Sequence, residues 1–531
     1  MNLTPSAQCL ALESVDILYN IIPRISDSTD AVYGAYKDGR QKWLISASQV
    51  NQLWRIVALS LPGAWAEVHD PRDPSLRRYY EILRRARQLP LRLTGLVPVK
   101  KIKLIGEINE WSTDVPSTTV TMSTVQWRHY LGLMSRIEAI DLTFTGTKRL
   151  LASRLVRLAD ALMSPAPLLE RLSISIQSDQ PAIFFHDDSG RSNDEDILFG
   201  SEWFTGNAPR LRHLTMRNIF LDVSRETLAS GLMGGFDSLI SLEVDCPGGI
   251  TFPFFDAWWM YLTRFMKYNP HSRLEHIDIT YIYGYINRHK VVDDSRFPGT
   301  LPPRLKSFRL RGDIEPCVWM LGDIIEYPQN CDIDLKFRAD IWSTYSEPLR
   351  SAYEHVLGDL VAHLSRIWAS DDCSEISVEI SLEKFVLQLT SGSGRLISVI
   401  VYPFPDPDCK PNLIVRFYSD LLGSLARLES FPNGLTPEAW LKLSILCEPD
   451  GISALAESLL EFLRRFSALR NLHLVHFPLD LWSVKNSILP SLARIRLNHT
   501  FPYSHAFRNA VNMFMEERAR IGQKVEVIEL A

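Results

Sequence analysis

The sequence predicts an α/β chain in which a short helical module precedes an irregular solenoid of strand–turn–helix repeats. A phrase made of an aliphatic residue, two others, an aliphatic, one other and an aliphatic recurs nine times. It reads IEAIDL (137–142), LERLSI (169–174), LRHLTM (211–216), LISLEV (239–244), LEHIDI (274–279), LKSFRL (305–310), LRNLHL (469–474), LARIRL (492–497) and VEVIEL (525–530). Its last three apolar positions alternate, which puts them on one face of a strand and the residues between them on the other. Amphipathic segments at three-and-four spacing lie between the phrases. A unit of one strand and one helix cannot bury its apolar face alone, so neighbours stack and share a core.

From the N-terminus, VDILYNII (15–22) puts Val15, Leu18 and Ile22 on one helical face with Ile21 beside them. After a polar stretch, Leu44, Ala47, Val50, Leu53, Trp54 and Val57 repeat at helical spacing, and Pro62 and Gly63 end that helix before Trp65. Residues 8–68 are therefore read as the helical module, 69–136 as a connector with the first solenoid strands, and 137–531 as the solenoid. Its helices are expected at 154–163, 255–268, 353–368, 454–466 and 505–520. The phrases from Leu142 to Leu310 lie 28 to 42 residues apart, so the repeats are irregular.

Between 310 and 469 the spacing breaks. CDIDLKF (331–337) reads as one more repeat strand. Residues 375–419 read as several strands joined by the Gly/Ser turn at 391–394 and the Pro/Asp loop at 403–411, a β-rich elaboration around 370–420 or a small separate sheet domain.

Composition excludes several functions. A net charge of −5 over 531 residues provides no basic footprint for nucleic acid. Seven cysteines without a C-x-x-C pair suggest neither a disulfide framework nor a zinc site, and fit reduced thiols in the cytoplasm or nucleus. The start, MNLTPSAQCLALESVD, has no signal-peptide character, and Asp256 interrupts the most apolar run, so no membrane partner is expected. The phosphate-loop, H-E-x-x-H, G-x-S-x-G and dinucleotide-turn motifs are absent, so neither enzymatic chemistry nor a cofactor is expected. The acidic run at 186–196 lacks calcium-loop order and reads as a solvated loop, and the RGD at 311–313 is too short to assign.

The front module resembles an F-box, specifically that of fungal F-box proteins with degenerate leucine-rich repeats. Asp16, Ile17, Leu18, Ile21 and Ile22 match the second half of that family's first helix. Val50, Trp54, Arg55, Val57, Ala58, Leu59, Ser60, Pro62 and Trp65 match its closing V-C-R-x-W-R-x-[IV]-A-L-S-x-P-x-L-W in register. Asn51 stands where the pattern has cysteine. YYEILRRARQLPLRLTGL (79–96) resembles the helix and strand that introduce the family's repeats, and Ala-Pro at 166 and 208 opens a further family phrase. The family's asparagine or cysteine after each repeat strand is missing, its place taken by residues such as Thr145, Gln177 and Asp313.

The resemblance implies a substrate adaptor that binds the Skp adaptor of a cullin-RING ubiquitin ligase through Leu18, Ile21, Ile22, Leu44, Val50 and Trp54. Period two places Arg171, His213, Arg217, Glu243, His276, Asp278, Arg309, His473, Arg494 and Arg496 on the open side of the strands, as candidate contacts for an unidentified protein substrate. Their mixed signs suit a protein better than a polyanion. The alternative is a repeat scaffold with no ubiquitin link, its first helices serving as a cap.

Overall fold

Strands that bury every second residue, paired side by side, organise both parts of this protein. The computed structural model describes residues 38–67, 76–98, 132–145, 164–177, 208–218, 238–246, 272–281, 299–339, 350–368, 372–403, 411–427, 435–446, 449–476, 489–498 and 505–530, with residues 129, 158, 162, 259 and 262 between them. The architecture is mixed α/β with mostly parallel strands, in two units, Met1–Ile250 and Thr251–Ala531.

Among the described residues, the first unit opens with four helices, α1 (Asp38–Val50), α2 (Gln52–Leu59), α3 (Pro62–Glu67) and α4 (Leu76–Ala86). Asn51 alone separates α1 from α2; its backbone is extended and its side-chain oxygen accepts the Trp54 N–H at 2.8 Å, an N-cap that starts the second helix. Pro62 opens α3, where no backbone donor is needed.

Five strands follow: β1 (Leu91–Pro98), β2 (Ile137–Thr145), β3 (Arg171–Gln177), β4 (His213–Arg217) and β5 (Ser241–Cys246). They pair in parallel in chain order. Ile140, Leu172, Leu214 and Leu242 form one buried row across β2 to β5, and Leu142, Ile174, Met216 and Val244 form the next. The recurring Ala-Pro has a local reason: Ala166 and Ala208 are buried, and their carbonyls accept the N–H of Leu169 and Leu211 in a tight turn just before each strand.

The second unit contains β6 (His276–Tyr281), β7 (Gly299–Thr300), β8 (Ser307–Asp313), α5 (Ile314–Gly322), β9 (Ile324–Glu326), β10 (Asp332–Ala339) and α6 (Arg350–Trp368). Then come β11 (Cys373–Ser381), β12 (Phe385–Ser391), β13 (Leu396–Pro403), α7 (Pro411–Arg427), β14 (Leu435–Leu446) and α8 (Pro449–Arg464). It ends with β15 (Asn471–His476), β16 (Arg494–Asn498), α9 (His505–Arg520) and β17 (Glu526–Leu530). The strands order as β6-β8-β10-β13-β12-β11-β14-β15-β16-β17, with β7 and β9 a separate short pair.

Among the described strands of this sheet, only β12 runs against its neighbours. The meander β11-β12-β13 has an odd number of strands, so its two outer members both run parallel to the strands beside them, β10 and β14. The β-rich elaboration is therefore part of the same sheet, and Arg395 fastens it there. That buried side chain donates to the Cys331 carbonyl at 2.8 Å, while the adjacent Leu396 N–H donates to Asp332. At the far end of the unit, buried Arg518 of α9 donates to the Leu489 carbonyl just before β16.

Two expectations need correction. The segment from Pro411 to Ser419 is the first half of α7, not a strand. Over the longer window Val415, Tyr418, Leu421, Leu422 and Leu425 are buried at helical spacing, and Pro411 sits at the start where a proline is tolerated. Helix α5 was not anticipated, because IEPCVWMLG is short, carries a proline and is apolar nearly all round. The helices expected at 15–22, 154–163 and 255–268 lie outside the described residues, apart from Leu158, Leu162, Trp259 and Leu262. Among the described residues no helix is long and apolar enough to cross a membrane.

Gly312 of β8 sits where a side chain has no room. Its φ is +151°, and an added Cβ would lie 1.7 Å from the Tyr281 carbonyl oxygen on β6. Gly312→Ala is expected to cost ~3 kcal/mol or more, read as a lowered urea midpoint. Cys317, Cys331 and Cys373 are buried free thiols, and burial pushes Cys331 up to about 12 and Cys317 well above the ordinary range. These two should resist alkylation near pH 8 in the folded protein and react in urea, as peptide mass spectrometry would show.

Candidate functional site

The side of each strand turned away from the core carries the candidate contacts. In the first unit, pairing aligns Arg171, His213 and Ser241 in one row, Asp141, Ser173, Thr215 and Glu243 in the next, and Thr143, Ser175, Arg217 and Asp245 in a third. Arg171 and His213 are exposed neighbours. Arg217 reaches across to Glu243 at 2.6 Å, so these two candidates engage each other. An ion pair this exposed contributes ~0–1 kcal/mol, so it shapes the surface more than it stabilises the fold.

Asn218, just beyond β4, ties the end of that strand to its neighbour. Its backbone is left-handed (φ 55°) and its side-chain amide donates to the Ile176 carbonyl at the end of β3.

In the second unit His276 is exposed on β6, and Asp278 stands opposite Arg309 of β8. Asp278 lies 3.8 Å from Arg309 and 3.3 Å from Arg311. Arg338 pairs with Asp313 at 2.8 Å and Lys336 with Asp334 at 2.9 Å, so charges alternate along this stretch. The Arg311-Gly312-Asp313 sequence is thus strand: its two charged residues hold neighbours across the sheet and its glycine relieves a close approach.

Farther along, Trp440, Asn471 and Arg494 are in register on β14, β15 and β16, as are Lys442, His473 and Arg496. The Arg496 guanidinium lies 4.2 Å from the centre of the Trp440 ring. Burial and the adjacent Lys442 and Arg496 hold the His473 imidazole below its ordinary value. Asn471 has an outward position by periodicity but is buried, because its amide donates to the Glu438 and Ala439 carbonyls of β14.

The helical module carries the other candidates. Leu18, Ile21 and Ile22 lie outside the described residues. Leu44 is 2% exposed and Trp54 is half-buried, whereas Val50, at the end of α1, is 61% exposed. On α2, Val57 and Ala58 face inward, and Ile56 and Leu59, one turn apart, are 57% and 37% exposed. Ile56 was not among the sequence candidates, and Leu59 was matched to the F-box pattern without being taken as a contact; the signal was that both sit opposite the Val57–Ala58 face.

The module is internally locked. Arg55 donates to the Ser48 carbonyl at 3.0 Å, tying α2 to α1. Trp65 is buried, its indole N–H donates to the Ala58 carbonyl at 2.8 Å, and Arg85 of α4 stacks 4.4 Å from its ring. Among the described residues, no group of three or more His, Cys, Asp or Glu is placed to hold a metal.

Trp65→Ala removes a fully buried ring and its hydrogen bond, and should cost ~3–5 kcal/mol, seen as earlier unfolding of the first unit in urea by circular dichroism. Compared with protein-family models and with curated proteins, the chain matches none.

Proposed function

We propose that the chain is a non-enzymatic substrate-recognition adaptor of a Skp-cullin-F-box ubiquitin ligase. Its N-terminal helices form an F-box that binds the Skp adaptor, and the open strand faces of an irregular leucine-rich-repeat solenoid receive a protein substrate. The observation that carries this reading is that Val50 of α1 and Ile56 and Leu59 of α2 expose aliphatic side chains on a helix pair whose inward side is already filled and locked. Exposed aliphatic side chains on adjacent short helices offer a contact for another molecule. A pair of short helices presenting them suits helix-on-helix burial. The ordered match of residues 50–65 to the F-box closing segment supports the same reading.

Co-expression with the Skp adaptor tests it. A one-to-one complex is expected on size-exclusion chromatography. Because Val50 and Ile56 are exposed, Val50→Asp with Ile56→Asp should leave the circular dichroism spectrum unchanged while weakening the complex ~30-fold or more. Failure of the native chain to form the complex would overturn the reading and leave a repeat scaffold whose first helices are a cap.

A further inference from the structure

On the open face of the last strands three basic side chains share one row: Lys442 of β14 is opposite His473 of β15, which is opposite Arg496 of β16. Among the described residues no carboxylate pairs with Lys442 or Arg496. The acids nearby belong to other rows or other partners. Glu375 of β11 stands opposite Trp440, Glu379 of β11 stands opposite Ser444 and is held by Lys384 at 3.1 Å, and Glu526 of β17 faces Arg494 at 3.5 Å. Lys442 and Arg496 stand on either side of His473 with no carboxylate to neutralise them, and a bound oxyanion would supply that charge.

We propose that the row Lys442–His473–Arg496, with Trp440 beside it, binds an acidic peptide segment through carboxylates laid across the three strands. This deepens the substrate-binding role proposed above and rests on it for the ligand being a protein. The shape of the surface favours a peptide over a single small anion. The three residues lie on successive strands about 4.8 Å apart on an open sheet face, and alternate residues of an extended peptide are about 6.6 Å apart, so several carboxylates meet several cations at once.

Binding should be linked to protonation. The charged groups facing His473 are Lys442 from β14 and Arg496 from β16; burial first, and then these two side chains, disfavour its charged form in the free protein. A carboxylate over the ring favours the imidazolium, so His473 takes up a proton when the peptide binds and affinity rises as pH falls.

The test is fluorescence anisotropy of a labelled peptide of alternating Glu and Ser titrated with the full chain. Affinity is expected to rise at least ~3-fold from about pH 7.5 to about 5.5, and to fall severalfold on raising salt from about 50 to about 200 mM. Lys442→Ala with Arg496→Ala should lose ~10-fold or more. His473→Gln should bind at the higher pH and lose the pH dependence. Equal binding by the double variant, or by a peptide of alternating Lys and Ser, would overturn the proposal. Displacement of the peptide by micromolar inorganic phosphate would overturn it in favour of a small-anion site. Should the double variant unfold, Lys442→Gln alone decides, with unchanged affinity counting against the site. Peptide binding by a chain that does not bind the Skp adaptor would remove the adaptor reading and leave this one standing, and the opposite pair of results would do the reverse.

Discussion

A chain of backbone hydrogen bonds at the start of β3, β4, β5, β8, β10, β16 and β17 holds the rest of this structure in place. In the first unit the Glu170 N–H reaches the Glu138 carbonyl, the Arg212 N–H reaches that of Glu170, and the Ile240 N–H reaches that of Arg212. In the second, Lys306 follows Glu275 and Asp332 follows Lys306, while Ala493 follows Arg470 and Glu526 follows Ala493. Each link sets the register of the next strand. A slip of one residue would turn every buried aliphatic outward, so the bonds and the apolar rows enforce the same alignment.

The open faces inherit that alignment. Because equivalent positions stand opposite each other, the chemistry of a surface row is the list of side chains at one repeat position. Around β6, β8 and β10 the list mixes signs and closes on itself in ion pairs. On β14 to β16 it sets Lys442 and Arg496 on either side of His473 with no carboxylate in the row. One backbone pattern thus carries a self-neutralised surface and an unsatisfied one within a single unit. Recognition on such a scaffold is set by substitutions at outward positions, which leave the core untouched.

Much of this was legible in the sequence. Each of the nine phrases ends in a strand, CDIDLKF became β10, and α9 spans the expected residues. These signals are local and repeated, so they survive without tertiary information. The misses have distinct causes. Residues 411–419 are apolar enough to pass for a strand until the following turns of α7 reveal the longer period. Asn471 is outward by periodicity and buried in fact, because carbonyls of the neighbouring strand satisfy its amide. Ile56 and Leu59 were not taken as contacts because the apolar stripe was traced through Trp54 and Val57, the side that packs.

Alternation along each strand, the positions of the turns and the amphipathic spacing of the later helices were determined by the sequence alone, since each depends on residues only a few positions apart. Tertiary structure decided lateral placement. It set Gly312 against the Tyr281 carbonyl, His473 between two cations from other strands, and an odd-stranded meander into an otherwise parallel run. Those neighbours are brought together from roughly 20 to 60 positions apart by register and crossover direction, which no short window of residues contains.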